Sequence, residues 1–225
     1  MFSVQLLSAV VSGALLVSGK PLDARGCDTS KAAIDLPANQ TALVAPTTNP
    51  LFVMLGVGVQ NYSCSSTTST YTSIGAVASL FDISCLETQP QFATIQTTAF
   101  NVWSKIPSSV SATSIDSTVG APFLLGFHYF VPSPSGTGIS PKWDFTSTGS
   151  FAGDATAYVI GAKVGDIAAP TGSTTNVDWL ALNGIQGSLA SKIFRIDTVG
   201  GQPPTSCVPG SAPISVKYTA KYFLY

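Results

Sequence analysis

With 225 residues and 45% apolar side chains, the chain has ample material for a hydrophobic core, in one sizeable domain or two small ones. Charge is the unusual quantity: Asp, Glu, Lys and Arg make up only 9% of the residues, against roughly a quarter in ordinary soluble domains, so Ser, Thr, Asn and Gly must cover much of the surface. A net charge of -1 and the absence of any Lys/Arg cluster exclude both disorder driven by charge repulsion and the electrostatic footprint of a nucleic-acid binder.

In chain order, the first element is the apolar run Leu6 to Val17, LLSAVVSGALLV, followed by the small residues Ser18 and Gly19. Its length suits a signal-peptide core better than a bilayer span, so residues 1–19 are expected to be a leader, with Arg25 as a further processing point in the segment 20–37. A single β domain is expected over 38–225. The sequons Asn39-Gln40-Thr41 and Asn61-Tyr62-Ser63 fit an exported protein as glycan acceptors, Asn61 only if the end of its strand faces solvent.

Strand-like runs bounded by Gly, Pro, Ser and Asn follow: Ala42 to Ala45, Leu51 to Tyr62, Ile74 to Ile83, Pro122 to Val131, Ala157 to Val164, Val177 to Leu182, Ile193 to Val199 and Ile214 to Tyr225. Between the second and third lies a Ser/Thr-rich loop, and Pro132 to Pro141 and Pro170 to Asn176 also read as loops. One short helix is allowed within Pro90 to Val102. Many strands without crossover helices predict an all-β, antiparallel sandwich or barrel. The closing segment alternates Ile214, Val216, Tyr218, Ala220, Tyr222, Leu224 against Ser215, Lys217, Thr219, Lys221, which is a half-buried strand and not a membrane anchor.

Gly56-x-Gly58 in LFVMLGVGVQNYSC invites comparison with a dinucleotide-binding loop, but Asn61 stands where the third glycine belongs, and a hydroxyl-rich run replaces the helix. The glycines are better explained by a bulge or a close backbone approach within a long buried strand. Four cysteines, Cys27, Cys64, Cys85 and Cys207, form no zinc-type pairs and read as two disulfides, with three possible connectivities. Neither a metal nor a cofactor is expected.

Chemistry-bearing candidates are few. His128 is the single histidine, in GFHYF, without a GxSxG elbow or carboxylates at ligand spacing. Trp143-Asp144 and Asp178-Trp179 each set an aromatic ring beside a carboxylate, as in sugar-binding sites, although neighbouring strand residues point to opposite faces. Trp143, Trp179 and His128 are the ligand-binding candidates, and His128 with Asp144 the catalytic ones.

Taken together, GVGVQNYSC, ASLFD, GFHYF followed by PKWD, VDWLALN, FRIDTVGGQPPTSC and KYTAKYFLY resemble a domain-of-unknown-function family of secreted fungal and bacterial proteins, over about Ala38 to Tyr225. The resemblance places His128, Trp143, Trp179, Cys64 and Cys207 at the family's motif positions. In bacterial relatives the two remaining cysteines resemble those at 64 and 207, which favours that pair and leaves Cys27 with Cys85. Fungal members often carry the label "malate dehydrogenase", which this chain does not support: its nucleotide loop is interrupted, and of its two arginines Arg25 precedes the domain. The expectation is a secreted, extracellular protein of the fungal cell surface or wall that binds polysaccharide or a host surface. The alternative is an extracellular carbohydrate-active enzyme using His128 and Asp144 as acid and base, with Trp143 as platform.

Overall fold

The computed structural model describes residues 27–115 and 123–225; the expected leader over 1–19 and Arg25 lie outside them. Eight strands run in chain order around a closed antiparallel barrel: β1 (Phe52–Cys64), β2 (Tyr71–Asp82), β3 (Leu124–Pro132), β4 (Ile139–Asp144), β5 (Tyr158–Ile167), β6 (Trp179–Gly187), β7 (Lys192–Gly200) and β8 (Ile214–Leu224). Closure comes from β1 pairing with β8 along its length, Met54 opposite Tyr222, Gly56 opposite Ala220 and Gly58 opposite Tyr218. The expected all-β class and short helix are present: α1 (Ile95–Trp103) follows a 3-10 turn over Pro90–Ala93.

Strand alternation sorts the apolar residues into two cores. Inside the barrel lie Met54, Leu80, Trp143, Val159, Leu182, Ile193, Tyr218 and Tyr222. An eight-stranded barrel has little room, so large rings must face small residues. Here Gly56 lies beneath the Tyr222 ring, where a Cβ would collide with it, and Gly161 faces Trp143 and Leu182. At Gly58 a Cβ would press into the backbone of Val77 and Ala78. The expected close approach is therefore real, although at Gly56 an aromatic ring comes near instead of a backbone. The β1 register does shift, but between Asn61 and Tyr62.

The second core lies outside the wall. Val53, Leu55 and Val57 on β1, with Phe194, Ile196 and Phe223, are covered by α1 and by the N-terminal arm through Ala32 and Leu43. One face of α1 supplies Ile95, Ala99 and Trp103, buried at helical spacing. Trp103 Nε1 donates to Gly58 O at 2.7 Å, and Thr219 Oγ1 donates to Gln96 O at 2.8 Å, tying the helix to β1 and β8. Lys221, 2% exposed, pairs with Asp197 at 2.9 Å beneath Phe92. Disulfides Cys27–Cys85 and Cys64–Cys207 fasten the arm to the turn after β2, and the β7–β8 connection to the end of β1.

Two strand expectations need correction. Ala42 to Ala45 is not a strand; Leu43 is buried in the outer core, with its N–H and carbonyl both bonded by the Gln40 amide. Conversely β4 lies partly in what reads as a loop, because Pro141 suggests a break. The proline is tolerated since β4 pairs with β5 only over Lys142–Asp144, so no ladder bond is lost there.

Because the Gly58 contacts are with backbone, Gly58→Ala should lower stability by about 2–3 kcal/mol, read by urea denaturation of the purified protein. Replacing Cys27 and Cys85 with serine should free the arm while the barrel persists. Tryptic cleavage at the exposed Lys31 would then accelerate ~10-fold or more with far-UV circular dichroism unchanged, and an unchanged cleavage rate would mean that packing alone holds the arm.

Candidate functional site

The polar groups of the interior gather on strands β1, β3, β4, β7 and β8. His128 lies opposite Ala78 and Trp143, so its ring enters the barrel where β2 contributes only a methyl group. It is 3% exposed and stacks on Trp143, with centroids 4.7 Å apart and planes 22° from parallel. Tyr222 closes the cluster, 5.6 Å from His128 and 5.7 Å from Trp143, and its hydroxyl is 2.9 Å from that of Tyr218. Their separation of four residues on an inward-facing β8 puts both tyrosines on this side of the wall.

His128 Nδ1 lies 3.0 Å from Lys142 O. A carbonyl can only accept, so Nδ1 carries the hydrogen and the neutral ring keeps its lone pair on Nε2. Burial pushes the pKa of His128 down to about 4; the Lys142 carbonyl opposes this, and the positive charge of Arg195 adds to it. The same cation acts on the buried hydroxyls. Burial raises Tyr62 to about 12, and lifts Tyr222 and, further, Tyr218, while Arg195 favours the anion in each case. Arg195 is held by Nε and Nη2, which donate to Asp178 O at 3.1 and 2.9 Å.

Trp143 Nε1 is a buried donor with no partner among the described residues, and the Gln60 side chain hydrogen-bonds the Tyr218 hydroxyl. Gln60 lies one inward step beyond Gly58 on β1, opposite Ala76 and Val216. At the same end, Tyr62 OH donates to Gly201 O at 2.8 Å, joining the barrel rim to the segment that Cys207 fastens.

The structure separates the catalytic candidates. Asp144 is next to Trp143 in sequence and therefore faces outward, where its carboxylate takes Lys142 Nζ at 2.8 Å, Tyr129 OH at 2.5 Å, and Thr146 N and Oγ1 at 3.0 and 2.7 Å. Burial would raise its pKa, but these bonds prevail and bring it to about 2. His128 and Asp144 are thus on opposite sides of the barrel wall, and the Asp144 oxygens are fully occupied. Strand alternation does not bring the two expected acid–base residues together. Both residues of the expected aromatic platform are buried: Trp143 is 1% exposed in the inner core, and Trp179, 8% exposed, lies in the outer core beside Ala181 and Ile196. Asn39 is exposed; Asn61 is half-buried and accepts a bond from Ser215 Oγ at 2.7 Å.

The interior residues that the sequence reading passed over are Gln60, Tyr62, Arg195, Tyr218 and Tyr222. Arg195 had a visible signal, an arginine on the same strand face as buried Ile193 in a chain with very few charges. Elsewhere, a surface cavity of about 320 Å³ beside Cys27–Cys85 is lined by Asp28, Lys31 and Glu87. Among the described residues no group of three or more His, Cys, Asp or Glu could hold a metal ion, and no helix is long and apolar enough to cross a membrane.

Residues 45–225 match the family model described as protein of unknown function, DUF3455. The chain belongs to that family. No curated protein matches it, and no solved structure does. The DUF3455 span begins just before β1 and takes in all eight strands, so the family model corresponds to the barrel, with most of the N-terminal arm outside it.

The depressed pKa of His128 has a measurable consequence. Below pH 6.5 the unfolded chain takes up a proton at His128 that the folded chain refuses until about pH 4, so stability from this residue is lost as pH falls through that window, by about 3 kcal/mol in all. Urea denaturation between pH 7 and 4 should show wild type losing this much relative to His128→Asn. The subtraction removes the carboxylates common to both; parallel pH profiles would place the imidazole in contact with water.

Proposed function

We propose that this barrel is a secreted binding protein of the cell surface or wall, acting on polysaccharide or on a host surface without covalent chemistry. The observation that carries this reading is the partition of the wall: the imidazole that could move a proton is buried inside, and the carboxylate that could partner it is saturated outside. That leaves a rigid, stapled scaffold with a weakly charged surface rich in hydroxyl groups, suited to recognition through many hydrogen bonds. Two disulfides suit an oxidising compartment, as do the leader-like residues 1–19 and the exposed sequon at Asn39. A carbohydrate-active enzyme would need a second acid within reach of His128, and Asp144 is not that acid.

The expected outcome of expression in a secreting host is a protein recovered from the medium with its N-terminus at Lys20 and a glycan on Asn39, read by peptide mapping. The purified protein should co-sediment with one of insoluble chitin, β-glucan or mannan and release no reducing sugar from it. Sugar release that His128→Asn abolishes would overturn the binding reading, and retention by none of the three polymers would remove the wall as its partner.

A further inference from the structure

A barrel whose strands follow chain order turns at the same end after every second strand. The β1–β2 (65–70), β3–β4 (133–138), β5–β6 (168–178) and β7–β8 (201–213) connections therefore share one end of this molecule. Their only charged residue is Asp178, whereas the connections at the opposite end carry Glu87, Lys105 and Asp154. The four loops are dense in hydroxyls instead: Thr67, Thr68, Thr70, Thr137, Thr174 and Thr205 are all exposed. Three of the loops hold one another. Cys207 N donates to Ser69 O at 2.9 Å beside the Cys64–Cys207 disulfide, and Gln202 N donates to Thr175 O at 3.1 Å. Thr68 Oγ1 lies 2.7 Å from Thr70 Oγ1, and Thr67 Oγ1 3.0 Å from Ser65 Oγ. These are bonds between surface hydroxyls, and an oxygen with two lone pairs keeps one open in each. The same end exposes Ile74, Ile139 and Val208. A nearly uncharged surface with exposed apolar side chains has little electrostatic repulsion to keep copies of the protein apart, so its solubility calls for another source of hydration.

We propose that the exposed hydroxyls of these four loops are sites of O-glycosylation, and that the attached sugars form a hydrated cap over this end of the barrel. Ser/Thr-rich segments punctuated by proline have the composition of O-glycosylated stalks, and Pro134, Pro170, Pro203, Pro204 and Pro209 supply that punctuation here. In the transfer, a Ser or Thr oxygen attacks the anomeric carbon of a polyprenyl-phosphate-linked hexose. The new carbon–oxygen bond replaces the one to phosphate, which leaves with its electron pair, while the hydroxyl proton passes to a base of the transferase. Nothing is oxidised or reduced. Sugars are bulky and solubilising, so they supply the hydration that charge does not supply at this end. The cap rests on the export half of the function proposed above, because such transferases act in the secretory pathway, and it is independent of the binding half.

The test is site mapping after expression in a eukaryotic host that O-mannosylates its secreted proteins, with the chain carried once by its own residues 1–19 and once by a leader of the host placed ahead of Lys20. Attached hexoses are located by mass spectrometry of peptides, with a fragmentation that preserves the sugar bond. The expected result is hexose on the peptides that hold Thr67 to Thr70 and Thr171 to Thr175, at an occupancy severalfold above that of Thr156 and Ser188, which are exposed at the opposite end. Replacing Thr67, Thr68 and Thr70 with alanine should lower the hexose content of the first peptide and leave the other as it was. Unmodified loops in protein recovered from the medium, or equal occupancy at Thr156 and Ser188, would overturn the proposal. Export by the host leader alone, with the loops modified, would sink the reading of residues 1–19 as a leader and leave the cap standing.

Discussion

Everything in this structure depends on how closely β1 can lie against its two neighbours. β1 is the seam strand, hydrogen-bonded to β2 on one side and to β8 on the other, and its inward face offers Gly56 and Gly58 where most strands would carry bulk. The absent side chain at Gly56 lets Tyr222 turn into the barrel, that at Gly58 lets β1 lie close against Val77 and Ala78, and Tyr222 in turn packs against His128 and Trp143. Closing the sheet also removes both exposed edges, the usual liability of an antiparallel sheet.

The wall so formed has two chemically distinct sides. Inside, hydroxyls, an imidazole and an arginine sit among large rings, with most of their bonds made to one another or to backbone. Outside, charges pair at the surface of the wall: Lys142 with Asp144, and Lys221 with Asp197 beneath the covering layer. Strand alternation is what keeps His128 and Asp144 apart although they lie on paired strands. A single-residue register slip would exchange the two environments and bury a carboxylate where the aromatic rings now stack, so the pairing is strongly specified.

Much of the architecture was legible in the sequence. The period-two pattern from Leu51 and from Ile214 marks β1 and β8 because both are long strands whose alternate residues face the two sides of the wall. The helix at Ile95–Trp103 was legible as the one short helix allowed within Pro90 to Val102, although its Thr and Ile content has weak helical preference and tertiary contacts through Trp103 decide the outcome. β4 was obscured by Pro141, whose tolerance depends on where the β5 ladder stops, a tertiary fact. The candidate site was half legible. His128 and Trp143 do come together, but their partners Tyr222 and Arg195 are far away in sequence, and only closure of the barrel joins them. Trp179 shows the limit of reading an aromatic as a platform: the layer that buries it belongs to other segments of the chain.

The seam has a bearing on how the molecule folds. Neighbouring strands can pair as local hairpins, but β1 finds β8 only across a long interval, Gly56 meeting Ala220. Loop-closure entropy must be met before that contact gives any return, so sealing should be the late and slow event. Until then the chain is an open, curved sheet with two sticky rims, able to join the rim of another copy as readily as its own. The Cys64–Cys207 bond links the end of β1 to the approach to β8, so once oxidised it holds the two rims of one molecule together and favours closure over exchange.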